Sequence, residues 1–147
     1  MRHIILGIAL LVCTIACAQT TIHEKLVFHK LDVLETGTEK PLESFENTGG
    51  VIIRGKVGEQ EHMIISVYEV YDYDLTIVNK VVGEPRDNIK MIMYQGGGNF
   101  KGMGIYTANV FFVYDLSKNK ETPEFIRLEI NDSPNIMKYS GIIKLDD

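Results

Sequence analysis

"VIIRGKVGEQEHMIISV" runs from Val51 to Val67 and joins two apolar-rich stretches through Gly58. In the first stretch Val51, Ile53 and Val57 share one face, and Arg54 and Lys56 share the other. A period of two is that of a half-buried β-strand. The middle, "KVGEQEH", reads as a tight hairpin, which makes the two strands antiparallel neighbours. The second stretch continues as "HMIISVYEVY", where Met63, Ile65 and Val67 alternate with Ile64, Tyr68 and Val70. A strand apolar on both faces is predicted to lie in the middle of the structure or to carry a second layer.

Further along, "FIRLEIN" turns Ile126, Leu128 and Ile130 inward, and "MKYSGIIKL" turns Met137, Tyr139, Ile143 and Leu145 inward. "IYTANVFFVY" is again apolar on both faces, with Tyr106, Val110, Phe112 and Tyr114 against Ile105, Phe111 and Val113. "LTIVNKVV" and "IKMIMY" add two strands separated by the turn "GEPRDN". The early segment "TTIHEKLVFHKLDVLETG" keeps a period of two that slips once, between Leu26 with Phe28 and Leu31 with Val33. It reads as a strand with a bulge; a helix opened by Thr21 and Glu24 and closed by Gly37 is the second reading. "TGTEKPLESFENTGG" reads as the longest polar loop.

The sum is an all-β chain, an antiparallel meander of seven to eight strands, closed as a calycin-like barrel in preference to a β-sandwich. Alternating strands and helices are not present, so a parallel βαβ sheet is not expected. The G-x-W signature of typical lipocalins is missing, because the chain has no Trp, and no motif carries a family assignment.

The first 18 residues stand apart. "MRHIILGIALLVCTIACAQT" has a basic start at Arg2, an uncharged apolar run and the small-x-small pattern Ala16-Cys17-Ala18, which together read as a secretory signal peptide over 1–18. A single β domain is expected over 19–147, exported to a periplasmic or secreted location. The alternative processing is lipidation of Cys17, which would anchor the protein at a membrane, although Thr14 stands where such signals prefer an aliphatic residue. Both cysteines, Cys13 and Cys17, fall in this leader, so the mature domain is expected to depend on its core and not on disulfides.

The chain of 147 residues is 45% hydrophobic and 24% charged, with a formal net charge of −5. Losing Arg2 leaves 14 Lys and Arg against 20 Asp and Glu, a balance of −6. Single cations such as Arg54, Lys56, Lys80 and Arg127 are scattered along the chain without a basic run. A nucleic-acid partner is therefore not expected, and a membrane only through a lipid on Cys17.

No motif of a known reaction stands in the chain. "YQGGGNFKGMGIY" places five glycines between two apolar runs. Gly97 and Gly102 have the outer spacing of a phosphate loop, but Met103 replaces its Lys. The expectation is a solvent-exposed, mobile hairpin connection over Gly96–Lys101, with Gly102 and Gly104 permitting a bend. His23, His29 and His62 read as surface histidines and not as metal ligands. Asp72 and Asp74 in "YEVYDYD" start like a calcium loop, but Thr76 and Ile77 do not continue one. No Ser lies in G-x-S-x-G.

Three functional readings remain. The first is an exported, non-catalytic barrel that uses no cofactor. It holds a small apolar ligand on Met63, Met91, Met93, Tyr106 and Phe112, or presents its surface to a partner protein. The second is a β-sandwich interaction or carbohydrate-binding module with Tyr68, Tyr71, Tyr73 or Tyr106 exposed. The third is a hydrolase in which His62 or Asp72 finds a partner in a cleft.

Overall fold

A computed structural model describes residues 19–67, 71–100 and 104–146. The predicted leader and Cys17 lie outside the described residues, as do Tyr68 and Gly102. The described residues hold nine strands and no helix: β1 (Thr20–Glu35), β2 (Pro41–Val57), β3 (Gln60–Val67), β4 (Tyr71–Val82), β5 (Ile89–Phe100), β6 (Gly104–Asp115), β7 (Phe125–Ile130), β8 (Asn135–Ser140) and β9 (Ile143–Lys144). All pairings are antiparallel, and β2 to β8 follow one another in chain order. β1 then pairs with β8 on one edge and with β2 on the other, which closes eight strands into a barrel. β9 adds two residues to β1, opposite Leu26 and Val27. The single closed sheet is a barrel and not a sandwich.

The first segment is a strand, and its slip in period is a bulge. The β1–β2 register shifts between Phe28 and Lys30, so Leu26 and Phe28 before it and Leu31 and Val33 after it all face inward. At that bend Phe28 lies across from Gly50, and a Cβ on Gly50 would stand 1.9 Å from the Phe28 ring. The missing side chain lets a fully buried aromatic ring lie across the neighbouring strand. The turn at Gly58 is as read, with Val57 facing Gln60 and Gly58 at a φ of 63°.

Four expectations change. The segment read as a long polar loop is mostly strand. β2 starts at Pro41, and residues 41–46 pair with β1, leaving 36–40 as the connection. Both faces of this stretch are exposed, Leu42 and Phe45 among them, while its backbone pairs along one edge with β1. The glycine run is also strand. Gly96, Gly97 and Gly98 pair with β4 on one side, β6 on the other, or both, and Gly96 is buried. A Cβ on Gly96 would meet the Thr76 carbonyl oxygen at 2.3 Å, one on Gly97 the Tyr106 oxygen at 2.7 Å, and one on Gly98 the Asp74 oxygen at 2.2 Å. These glycines therefore permit close backbone approach beside the Val78 bulge in β4.

The other two changes reverse a face. In β2 it is Ile52, with Arg54, that points inward, Arg54 standing opposite the fully buried Met63. Val51 and Ile53 face out. At the end of the chain Gly141, at a φ of 64°, breaks the alternation. Met137 and Tyr139 are inward as read, but Ile142 packs against the core, and Ile143 and Leu145 are exposed.

The interior is filled from β1 to β8 by residues that include Phe28, Ile52, Met63, Leu75, Phe112, Leu128 and Tyr139. An eight-stranded barrel is just wide enough for side chains to fill. Phe112→Ala is expected to cost about 3–5 kcal/mol through lost burial and a cavity. Gly96→Ala is expected to cost about 1–3 kcal/mol, because strand backbone must move. Val78→Ala, at a side chain that is 78% exposed, is expected to stay within about 0.5 kcal/mol. Urea melts of the three variants check the order; an unchanged Gly96→Ala midpoint would contradict the close approach.

Candidate functional site

The inward face of β2 carries apolar Ile52 and then Arg54 and Lys56 as the strand approaches one mouth of the barrel. Arg54 crosses the interior. Its guanidinium carbon lies 5.5 Å from the ring centroid of Tyr94 on β5. Its Nε donates to Glu24 Oε2 of β1 at 3.3 Å, and the two side chains are 19% and 12% exposed. Lys80, next to Tyr94 across the β4–β5 pairing, holds its Nζ 5.6 Å from the same ring. Two cations thus converge on one aromatic ring that is itself buried, a contact that strengthens as water is excluded. Long cationic side chains suit the last interior layer, since their stems cover apolar surface and their heads reach water.

The neighbouring rungs complete the rim. Val82 pairs with Ile92, and Lys90 pairs with Tyr114, all on the inward face. Lys56 pairs with Glu61. Among the described residues Arg54, Lys56, Lys80 and Lys90 therefore face this mouth, with Lys144 opposite the inward Leu26, against the carboxylates Glu24 and Glu61. Sequence spacing did not reveal the cluster, because its members lie on three strands whose order is known only once the barrel closes. The scatter of single cations along the chain becomes a gathering in space.

The outer face of β5, β6 and β7 is unusual in another way. Met93 pairs with Phe111, Phe111 with Arg127, Met91 with Val113, and Val113 with Phe125. Met91 is 43% exposed and Val81 beside it 45%. Met91, Phe111, Val113, Phe125, Arg127 and Glu129 line a shallow hollow of about 160 Å³. Arg127 at its edge is ion-paired to Glu39 at 2.6 Å and to Glu129 at 2.5 Å. β6 is apolar on both faces, as read; on the outward one Val113 is buried among its neighbours, Phe111 and Phe125 are half-buried, and Lys138 lies over the Phe125 ring. Farther along the same face, Asn79 donates to Gln95 and Gln95 to Asn109, a polar ladder that bounds the apolar area.

The five residues read as a ligand-binding set divide between the two faces. Met63 and Phe112 are fully buried inside, and Tyr106 is inside near the other mouth. Met91 and Met93 point outward. No hollow described is lined by Met63 or Phe112. The larger hollows, of about 430 and 420 Å³, lie against the β6–β7 and β7–β8 connections, not enclosed by the strands.

The tyrosines read as a sugar platform are inside where they are described. Tyr73 and Tyr106 are buried, with ring centroids 6.3 Å apart, while Tyr68 and the side chain of Tyr71 lie outside the described residues. His62 has a partner in Asp74, Nδ1 to Oδ1 at 3.3 Å, on the outer sheet surface where Asp74 is 68% exposed. The adjoining hollow of about 50 Å³ is lined chiefly by Ile22, Ile53, Val57 and Ile64, with Thr20 and Thr21. The side chain of Asp72 is not described. Among the described residues no three His, Cys, Asp or Glu side chains gather as a metal site.

Comparison with known proteins adds no relative: no protein-family profile, no curated protein and no solved structure matches the chain.

The interior tyrosines give the packing a pH signature. Burial pushes the hydroxyl pKa of Tyr94, Tyr106, Tyr114 and Tyr139 up, with nearby Glu24 and Glu61 adding to it at Tyr94. In the unfolded chain these groups ionise near pH 10. Above that pH the unfolded state binds fewer protons than the folded one, so stability present below pH 10 is lost as pH rises. Unfolding is expected to begin above about pH 10, with tyrosinate absorbance and loss of sheet signal rising together. Ionisation of all seven tyrosines before any loss of sheet would contradict a closed interior.

Proposed function

We propose that this chain is an exported, non-catalytic β-barrel that acts by presenting its outer surface to a partner protein. One observation carries the reading: an outward apolar face on which Met91 is exposed and Phe111 and Phe125 are half-exposed around a buried Val113, where an antiparallel barrel strand ordinarily turns polar side chains to water. The filled interior directs binding to the outside. Export is supported by the signal-like pattern of residues 1–18, and β1 starts at Thr20, so cleavage after Ala18 releases every strand of the barrel.

The chemistry of the partner follows from the groove. Its walls are apolar, and its polar edge is balanced in charge: Arg127 is ion-paired to Glu39 and Glu129, and Lys138 beside it lies over the Phe125 ring, Nζ 4.5 Å from the centroid. The matching surface is an apolar ridge with polar flanks of mixed charge.

The test uses protein purified from its own host, as wild type and as Met91→Glu. Met91 is 43% exposed, so the substitution is expected to change folding stability by no more than about 0.5 kcal/mol. It places a charge in the groove and is expected to weaken a partner by about ten-fold or more. Native mass spectrometry is expected to show a heteromeric complex with the wild type that the variant loses. A chain recovered alone, a homodimer, or a complex equally retained by Met91→Glu contradicts the reading. The same spectra give the mature mass, expected to start at Gln19; a lipid-modified mass starting at Cys17 would replace soluble export by a membrane anchor.

A further inference from the structure

The mouth that gathers the cations has no part in the outer-face reading. From its geometry we infer that it is a binding site for an amphipathic carboxylate, an anion with one carboxylate and an apolar body. Arg54 uses Nε for Glu24 and lays its guanidinium near the Tyr94 ring, and no other hydrogen bond of its fork to a described residue is present. Lys80 has the Tyr94 ring as its described contact and no ion-pair partner among the described residues. Lys90 and Lys56 face the same rim without ion pairs to described residues. Glu61 lies opposite Lys56 in the β2–β3 pairing, beyond ion-pair distance of it.

Such a group attracts an anion, and planar guanidinium donors suit a carboxylate. The apolar requirement comes from the rung between the two lysines. Val82, 54% exposed, and Ile92 stand on the inward face between the Lys80–Tyr94 and Lys90–Tyr114 rungs. A carboxylate held by Arg54 and Lys80 therefore places its body over Val82 and Ile92, covering side chains that now face water at the rim. A small inorganic anion would leave that surface exposed, and an uncharged alkyl chain would leave the cations unanswered. Tyr94 and Tyr114, directly beneath, report occupancy, because the chain has no Trp to mask tyrosine emission.

The probe is sodium dodecanoate below its micelle concentration, with dodecanol and acetate as comparisons, followed by tyrosine emission and by NMR of the tyrosine rings. Dodecanoate is expected to give a saturable change at Tyr94 and Tyr114, and both dodecanol and acetate at least about ten-fold weaker responses. Lys80 is exposed, so Lys80→Met folds normally and is expected to weaken dodecanoate by about three-fold or more. Arg54→Met alone would strand Glu24 in a half-buried place, so Glu24→Gln is combined with it; the double variant is expected to lose about ten-fold or more. Met91→Glu on the outer face is expected to leave the titration unchanged, so this inference stands or falls apart from the partner reading. Equal binding of dodecanol, no saturation, resonance changes centred on Phe111 and Phe125, or full affinity in both Lys80→Met and the double variant would each overturn it.

Discussion

β1 is hydrogen-bonded along both edges, and the rest of the molecule depends on it. A meander of seven strands has two open edges, each a row of unpaired N–H and C=O groups; one strand serving both edges removes them. The requirement falls on sixteen residues that must follow β2 and β8 around a tight curve. β1 meets it by slipping register at Ile22/Glu24, at Phe28/Lys30 and at Val33/Leu34, and β2 meets it with Gly50 and Gly55 at two of those bends. Across the barrel the same curvature is absorbed by Gly96 and Gly98 beside the Val78 bulge. Closure with eight strands fixes the width, and that width is filled by aromatic and branched side chains. Little room is left for a guest among the described interior residues, so chemistry is displaced to the rims and the outer surface.

The alternation of side chains made the strands legible, and the slip between Phe28 and Leu31 made the bulge legible, because both are local consequences of a pleated backbone. Which face turns inward was a different matter. Val51, Ile53 and Val57 look like a core face until Ile52 and Arg54 are set opposite Ile65 and Met63; apolar residues on both sides of a strand leave the choice to its neighbours. The same holds at Gly141, where one positive φ exchanges Ile142 for Ile143 without any change in composition.

Composition misled wherever it stood in for hydrogen bonding. Glu43, Ser44, Glu46, Asn47 and Thr48 made the stretch read as a loop, but residues 41–46 pair with β1, and their polar side chains record exposure on both faces of that strand. The glycines at 96–98 read as flexible, but their role is set by the Thr76, Tyr106 and Asp74 carbonyls that no side chain could approach so closely. The five candidate ligand residues were chosen for softness and size, and the period-two rule divides them: Met91 and Met93 share a parity opposite to that of Tyr94, so they cannot share the interior with Phe112. What the sequence could not show in any form was the mouth, since Glu24, Arg54, Lys80 and Tyr94 are brought together only by the order of strands around the barrel.

That mouth is not explained by stability. Removing Arg54 and Glu24 from water costs more than burying two apolar side chains of similar volume, and their mutual attraction at 3.3 Å offsets this only in part. Lys80 over the Tyr94 ring gains a modest contact for an exposed ammonium. A barrel shaped by folding alone would continue the apolar interior of Ile52, Met63 and Phe112 up to the rim and leave its cations on the outer face, where an acidic chain has carboxylates to receive them. Instead the cations are drawn inward beyond Ile52, toward one aromatic floor, with a single carboxylate bonded among them. The excess of positive charge at this rim therefore opposes both the net charge of the chain and the polarity of the interior below it, the arrangement expected where the missing negative charge arrives from outside.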